Sequence, residues 1–305
     1  MKPRLIFLVG QTAVGKTDVA VELARKLNAE IISCDSMQIY RGMDIISSKP
    51  PKTFRKKVAH HLIDIVSPSR EYNVSKYRKE TLRAIKDILS RGKAPLLVGG
   101  TGLYMSILID GIFDLKAKDE AIRKSLFRIA EERGNQFLHK KLQSVDQVAA
   151  EKIHPNDTKR IVRALEVFEA TGKPISELQK QRKGLSDAFD IRIFCINMEK
   201  DALNKRIDMR VKRMFRQGLV KEVKNLLRNK LSRTALYAIG IRELKGYFEK
   251  AYDLEEEKLQ LKRNTRLYAK RQLTWFRKDK RIKWIRVSDK DKPKRIADLI
   301  WKELS

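Results

Sequence analysis

Cysteine is almost missing from this 305-residue chain, which has only Cys34 and Cys195. Neither lies in a Cys-x-x-Cys pair, so a disulfide framework and a cysteine-rich zinc site are excluded and a reducing compartment, the cytosol, is expected. Long apolar runs are missing too. The apolar run before Gly10 is only five residues long, and nowhere do 18 follow one another, which excludes a signal peptide and a membrane-spanning helix. Acidic residues are in short supply: 38 Asp and Glu stand against 68 Lys and Arg, giving a net charge of +30. The apolar fraction of 42% is that of a globular protein, so the imbalance signals a polyanionic partner rather than disorder. The excess is uneven, with 33 basic and 15 acidic groups after residue 190.

Residues 5–9, Leu-Ile-Phe-Leu-Val, form a continuous apolar run of the kind a buried parallel strand requires. Residues 17–27 then repeat apolar positions at helical spacing, residues 31–32 form a short strand ending at Asp35, residues 77–89 a helix, and residues 95–98 a third strand. This alternation predicts an α/β fold, an open parallel sheet with helices on its faces. Between about 115 and 190 the strand runs disappear and helical spacing dominates, which reads as a small helical insertion domain. The expected organisation is therefore 1–114 as the first part of the core, 115–190 as the insertion, and 191–305 as the second part of the core with basic helices. In that last part, residues 191–196 and 282–287 read as strands, and 200–227, 240–248 and 255–276 as helices.

The strongest local signal is Gly10-Gln11-Thr12-Ala13-Val14-Gly15-Lys16-Thr17, a full match to the phosphate-loop pattern in strand–turn–helix context. Loop amides and the helix N-terminus attract phosphate oxygens, Lys16 neutralises the terminal phosphate, and the Thr17 hydroxyl can reach Mg²⁺. A nucleotide kinase or hydrolase usually adds a strand-end Asp that helps to hold the metal. Here the strand 95–98 ends instead in Gly99-Gly100-Thr101. The acid at a strand end near the loop is Asp35, either a helix cap or a functional carboxylate facing the same phosphate as Thr101.

With these residues the chain resembles the tRNA dimethylallyltransferases, bacterial type. Beside the loop, the resemblance rests on residues 35–44 (DSMQIYRGMD), 60–65 (HHLIDI), 98–104 (VGGTGLY), 154–157 (HPND), 160–167 (RIVRALEV), Ile239-Gly240 and 270–275 (KRQLTW), in family order. The cysteine- and histidine-bearing zinc module of many eukaryotic members is absent from this sequence.

The resemblance implies a P-loop NTPase-like core and transfer of a dimethylallyl group from its diphosphate to N6 of the adenosine 3′ of a tRNA anticodon. It makes Asp35 the general base, with Thr101 and Arg210 as its catalytic companions on the diphosphate, and Gly10 to Thr17 the diphosphate loop with Mg²⁺ on Thr17. Asp35, Ser36, Met37, Gln38, Thr101, Arg123, Lys159, Arg160, Ile161, Val162, Arg163, Gly240, Lys270 and Arg277 fall on tRNA-contact positions. Gln38 offers the paired donor and acceptor of an adenine edge, and Met37 reads as packing. On the helix near Lys270, Arg266, Lys270, Thr274 and Arg277 share one face while Ala269, Leu273 and Phe276 share another. The expected partners are a tRNA anticodon stem-loop and dimethylallyl diphosphate, bound by a monomer. Ile46-Ser47-Ser48-Lys49-Pro50 departs from the family's Gly-Thr-Ala-Lys-Pro and leaves the path of the chain after Asp44 open. Two rival readings are an ATP-dependent small-molecule or nucleoside kinase and a tRNA-binding protein with an inactive phosphate loop.

Overall fold

A computed structural model describes residues 2–113 and 119–304. The chain divides into two compact units, one formed by residues 1–109 and 186–305, the other by Asp110–Leu185. The first boundary expected from the sequence, between 114 and 115, lies outside the described residues.

The first unit is built on a six-stranded sheet of order β3-β2-β4-β1-β5-β6, parallel throughout. In chain order it runs β1 (Arg4–Gly10), α1 (Lys16–Lys26), β2 (Ala29–Cys34), α2 (Lys52–Lys57), β3 (His60–His61), α3 (Val74–Ser90), β4 (Ala94–Gly99) and α4 (Gly102–Ile109). The second unit holds α5 (Glu120–Arg133), α6 (Asn135–Val145), α7 (Gln147–Lys152), α8 (Thr158–Thr171) and α9 (Ile175–Lys180). The chain then continues through β5 (Asp190–Met198), α10 (Lys200–Arg216), α11 (Leu219–Leu227), α12 (Ile241–Phe248), α13 (Leu254–Phe276), β6 (Ile282–Val287) and α14 (Pro293–Lys302).

The apolar run of β1 is buried along its length because β1 lies between β4 and β5, with Leu8 opposite Val98 on one side and Phe194 on the other. The carboxyl ends of β1, β2 and β4 therefore come together at Gly10, Cys34 and Gly99. In an open α/β sheet this is where ligands bind. Cys34 and Gly99 pair in register, and a Cβ on Gly99 would sit 2.0 Å from the Cys34 carbonyl oxygen, so only glycine lets β2 and β4 close at this end.

Two elements differ from the sequence reading. Residues 200–227 are two helices, because Gly218 adopts φ 96° and turns the chain between them. The C-terminal helix α14 has no counterpart in that reading. It buries Ile296, Ala297 and Ile300 and joins α1 through Lys26 and Asp298 at 2.6 Å.

The second unit has its own core of Leu126, Leu138, Leu142, Ile161, Val162 and Leu165. Asp119, Asp146 and Asp157 cap α5, α7 and α8 by accepting first-turn amides.

Candidate active site

Between β1 and α1 the chain turns through Ala13 at φ 65° and Gly15 at φ 97°, which folds residues 10–16 into a loop around the start of α1. Among the described residues no side chain caps that helix, so its first amides stay available to an anion. Lys16 reaches back over the loop and donates to the carbonyls of Gly10 (2.9 Å) and Gln11 (2.6 Å). Burial, with Arg210 nearby, lowers its pKa to about 8, against the opposing pull of Asp35. Arg206 of α10 braces the loop from outside through Val14 O (3.3 Å) and is itself paired with Asp289 at 2.6 Å.

The loop opens into a cavity of about 820 Å³. Lys16, Thr17, Asp35, Gln38, Arg210 and Tyr268 contribute to its wall, as does Gly100. Arg210 has no carboxylate within ion-pair distance among the described residues; burial pulls its pKa down, while Asp35 and Tyr268 counteract that. Asp35 follows β2 in a tight turn in which one carboxylate oxygen, Oδ1, accepts the Met37 amide at 2.8 Å. Its other oxygen has no hydrogen-bond partner among the described residues. Thr101 organises the same turn from the end of β4: its hydroxyl accepts the Ser36 amide (3.1 Å) and its own amide donates to Cys34 O (3.2 Å). One strand end therefore positions the carboxylate and its neighbour positions the turn that presents it.

Gln38 also lines the cavity, but its acceptor oxygen takes the Ser33 hydroxyl at 2.9 Å, while its amide nitrogen faces Ser48 O at 3.5 Å. A base edge would have to exchange the first of these or use the remaining nitrogen hydrogen. The segment after Asp44 has a defined anchor: the Glu222 carboxylate of α11 accepts the amides of Asp44, Ile45 and Ile46 at 2.8–3.1 Å. Lys49, buried, joins Asp44 at 2.6 Å and also pairs with Asp64, which Arg55 meets at 2.8 Å. These bonds hold the chain on the path that the Ile46-Ser47-Ser48 departure left open.

Other residues expected at the RNA surface separate into exposed and buried sets. Lys270 and Thr274 on α13 and Arg277 just after it are exposed, while Ala269 and Phe276 are buried and Leu273 half-buried, as the helical spacing implied. In the second unit Lys159 and Arg160 are exposed on α8, and the half-buried Arg123 and Arg163 share the buried Glu166 at 3.1 and 3.0 Å. Ile161 and Val162 are 0% and 1% exposed in the core of that unit. This corrects the expectation for their side chains, which pack inward and leave Lys159 and Arg160 as exposed cations at the start of this helix. Gly240 is likewise buried, starts α12 at φ 106°, and donates its amide to Glu243 at 2.7 Å.

Sequence reasoning missed Arg206 and Tyr268 at this site. Burial, reinforced by Asp35, pushes the Tyr268 phenol pKa up, so it stays protonated. Both residues come from helices more than 180 positions after the loop, and nothing in their local spacing marks them.

A parallel α/β sheet, a phosphate loop at its central strand and a cationic cavity over the strand ends define a protein of the P-loop NTPase-like class. The profile of the IPP transferase family matches residues 38–279, and that of the isopentenyl transferases residues 3–64. A tRNA dimethylallyltransferase of Thermotoga neapolitana is 47% identical over 307 residues, covering 99% of each chain. One from Geobacter sulfurreducens is 46% identical over 286 residues, 93% of this chain and 92% of that protein. Among solved structures, the full-length tRNA isopentenylpyrophosphate transferase of Bacillus halodurans has a TM-score of 0.73 at 40% identity, covering 99% of this chain and 97% of the other. A eukaryotic dimethylallyltransferase captured acting on tRNA reaches 0.80 at 32% identity, over 94% of this chain and 74% of its own. The chain belongs to the tRNA dimethylallyltransferase family, and so is a prenyltransferase enzyme.

Proposed function

We propose that the chain transfers a dimethylallyl group from dimethylallyl diphosphate to N6 of the adenosine 3′-adjacent to the anticodon of tRNA, releasing diphosphate. The observation that carries this reading is the placement of a phosphate loop, of Arg210 with no ion-pair partner among the described residues, and of a carboxylate with one oxygen unbonded among them, in one cavity. The cations suit a diphosphate leaving group, whose developing negative charge they stabilise. Asp35 suits proton removal from the adenine amine, a weak acid whose proton must leave as the new bond forms. Adenine in an anticodon loop is stacked, so it must leave the stack to reach the cavity.

The donor set fits a magnesium ion that takes most of its ligands from the substrate. Thr17, a hydroxyl-bearing residue, lines the cavity, and no cluster of three or more His, Cys, Asp or Glu able to hold a metal occurs among the described residues. Mg²⁺ bound by diphosphate oxygens and water needs only one or two protein oxygens. Here Thr17 would supply one, and the ion would add Lewis-acid charge to the leaving group. Among the described residues no helix is long and apolar enough to cross a membrane. The reading places a monomer in the cytosol beside its tRNA.

The test is incubation with labelled dimethylallyl diphosphate and unmodified tRNA carrying consecutive adenosines 3′ of the anticodon. Label should enter the tRNA at that adenosine, and diphosphate should appear in equal amount. Nucleotide hydrolysis without tRNA, with no label transferred, would favour a kinase-type activity instead.

A further inference from the structure

One buried amide links the two halves of the site. Gln272, on the inner face of α13, is 6% exposed. Its Oε1 accepts the Thr12 amide of the phosphate loop at 2.8 Å, and its Nε2 donates to the Gly100 carbonyl at 2.9 Å. Both partners are backbone groups, so the bonds fix the course of the chain rather than a side-chain rotamer. Gly100 immediately precedes Thr101, whose hydroxyl holds the turn that presents Asp35. The chain of contacts therefore runs from the diphosphate loop, through one carboxamide, to the base side of the cavity.

Two further features show how closely this junction is made. A Cβ on Gly100 would lie 2.1 Å from Gln272 Nε2, so the strand end has no room for a side chain while the amide is in place. Gln11, the loop residue before Thr12, donates to Ala269 O at 3.2 Å, and α13 thus grips the loop at two points almost one turn apart. Other side chains fit poorly. A carboxylate could accept from Thr12 but could not donate to Gly100, and an apolar side chain would leave a buried amide and a buried carbonyl unpaired.

We propose that Gln272 is a positioning residue for prenyl transfer: it sets the spacing between the phosphate loop and the Thr101–Asp35 strand end, and ties both to the helix whose outer face carries Lys270 and Thr274. This rests on the proposed transfer reaction. Gln272 itself moves no proton and forms no bond to substrate. Its effect is on distance, and a misplacement of about 1 Å between reacting groups can cost a factor of order 10² in rate.

The test compares wild type with Gln272→Leu, which removes both bonds, and Gln272→Glu, which keeps the acceptor and loses the donor. Three quantities are measured: turnover with saturating substrates, affinity for inorganic diphosphate by calorimetry without tRNA, and affinity for an anticodon stem-loop by fluorescence anisotropy. The expected result for Gln272→Leu is a fall in kcat of about 10- to 100-fold with weaker diphosphate binding and a stem-loop Kd within twofold of wild type. Gln272→Glu should also lose turnover with its stem-loop affinity kept, and it carries the test if the leucine variant does not fold. Turnover within twofold of wild type in the folded variants would overturn the proposal. So would losses in which stem-loop affinity and melting midpoint fall in step with turnover, the mark of general destabilisation. If wild type binds diphosphate but transfers no prenyl group, the reaction assignment fails, while the calorimetric comparison still decides whether Gln272 shapes the loop.

Discussion

Lys16 and Asp35 are separated by the cavity's chemistry as well as by sequence. Lys16 is held at a pKa of about 8 by burial, so a growing fraction is neutral as the pH passes that value. A bound diphosphate favours the charged form and raises the pKa, so binding takes up a proton above pH 8 and does not below it. The wild-type advantage over Lys16→Met in calorimetric affinity for inorganic diphosphate, a comparison in which the anion's own ionisation cancels, should therefore be constant from pH 6 to 7.5 and then fall, by up to about tenfold per pH unit above 8. An advantage that stayed constant to pH 9.5 would show that Lys16 is not the group that meets the anion. Asp35→Asn keeps the size of the side chain and an oxygen for the Met37 amide but cannot accept the proton. Its kcat should fall by about 10²- to 10⁴-fold, the usual worth of a general base, with the stem-loop Kd little changed; an Asp35→Asn enzyme of near-normal kcat would remove Asp35 from that role.

At the scale of elements, α13 packs against α12 over a buried acid. Glu257 is 0% exposed, neither carboxylate oxygen has a hydrogen-bond partner among the described residues, and burial with Glu243 nearby raises its pKa to about 8. The folded state thus holds this proton more tightly than the unfolded chain does. The stability it contributes is fully present below the unfolded value near 4.5. It declines as pH rises and is lost once pH passes about 8. Gln at this position is neutral at every pH, so Glu257→Gln should match wild type in melting midpoint at pH 5 and exceed it by several degrees at pH 8.5. Equal midpoints at pH 8.5 would mean that the carboxylate finds water or a cation.

Elements also separate what could be read in the sequence from what could not. The strands at 5–9 and 95–98 were legible because strands buried on both faces must be apolar without alternation, and that at 191–196 because its apolar residues are broken only by the exposed Arg192. The phosphate loop was legible because its contacts come from consecutive amides. The C-terminal helix was hidden by its charge: Lys292, Lys294 and Arg295 surround a proline, and only Ile296, Ala297 and Ile300 face inward. The break at Gly218 was hidden because apolar spacing continues on both sides of it. Arg206, Tyr268 and Gln272 were illegible as site residues for a different reason. Each acts on atoms far away in sequence, and no local pattern carries that information.

For the whole molecule, charge and fold divide the work of recognition. The +30 surplus is densest after residue 190, in the part of the chain that supplies α10 to α14. Such a surface attracts any polyanion, and its binding is driven largely by release of counterions. Stem-loop affinity should fall by about tenfold or more between 50 and 200 mM salt, whereas single substitutions at Lys270 or Arg277 should lower the slope of log Kd against log salt by about one contact each. A salt-independent Kd would place recognition elsewhere.

The position of β1 in the sheet also bears on how the molecule comes into being. On one side β1 pairs with β4, but its other neighbour, β5, is made only after the entire second unit has been synthesised. Until then β1 has an open edge of unpaired backbone groups beside a phosphate loop that α13 has not yet gripped. Sheet closure and loop closure both depend on long-range partners, which form slowly. The open edge of β1 and the two α13 contacts to the loop are therefore completed only once the last third of the chain has folded back onto the sheet.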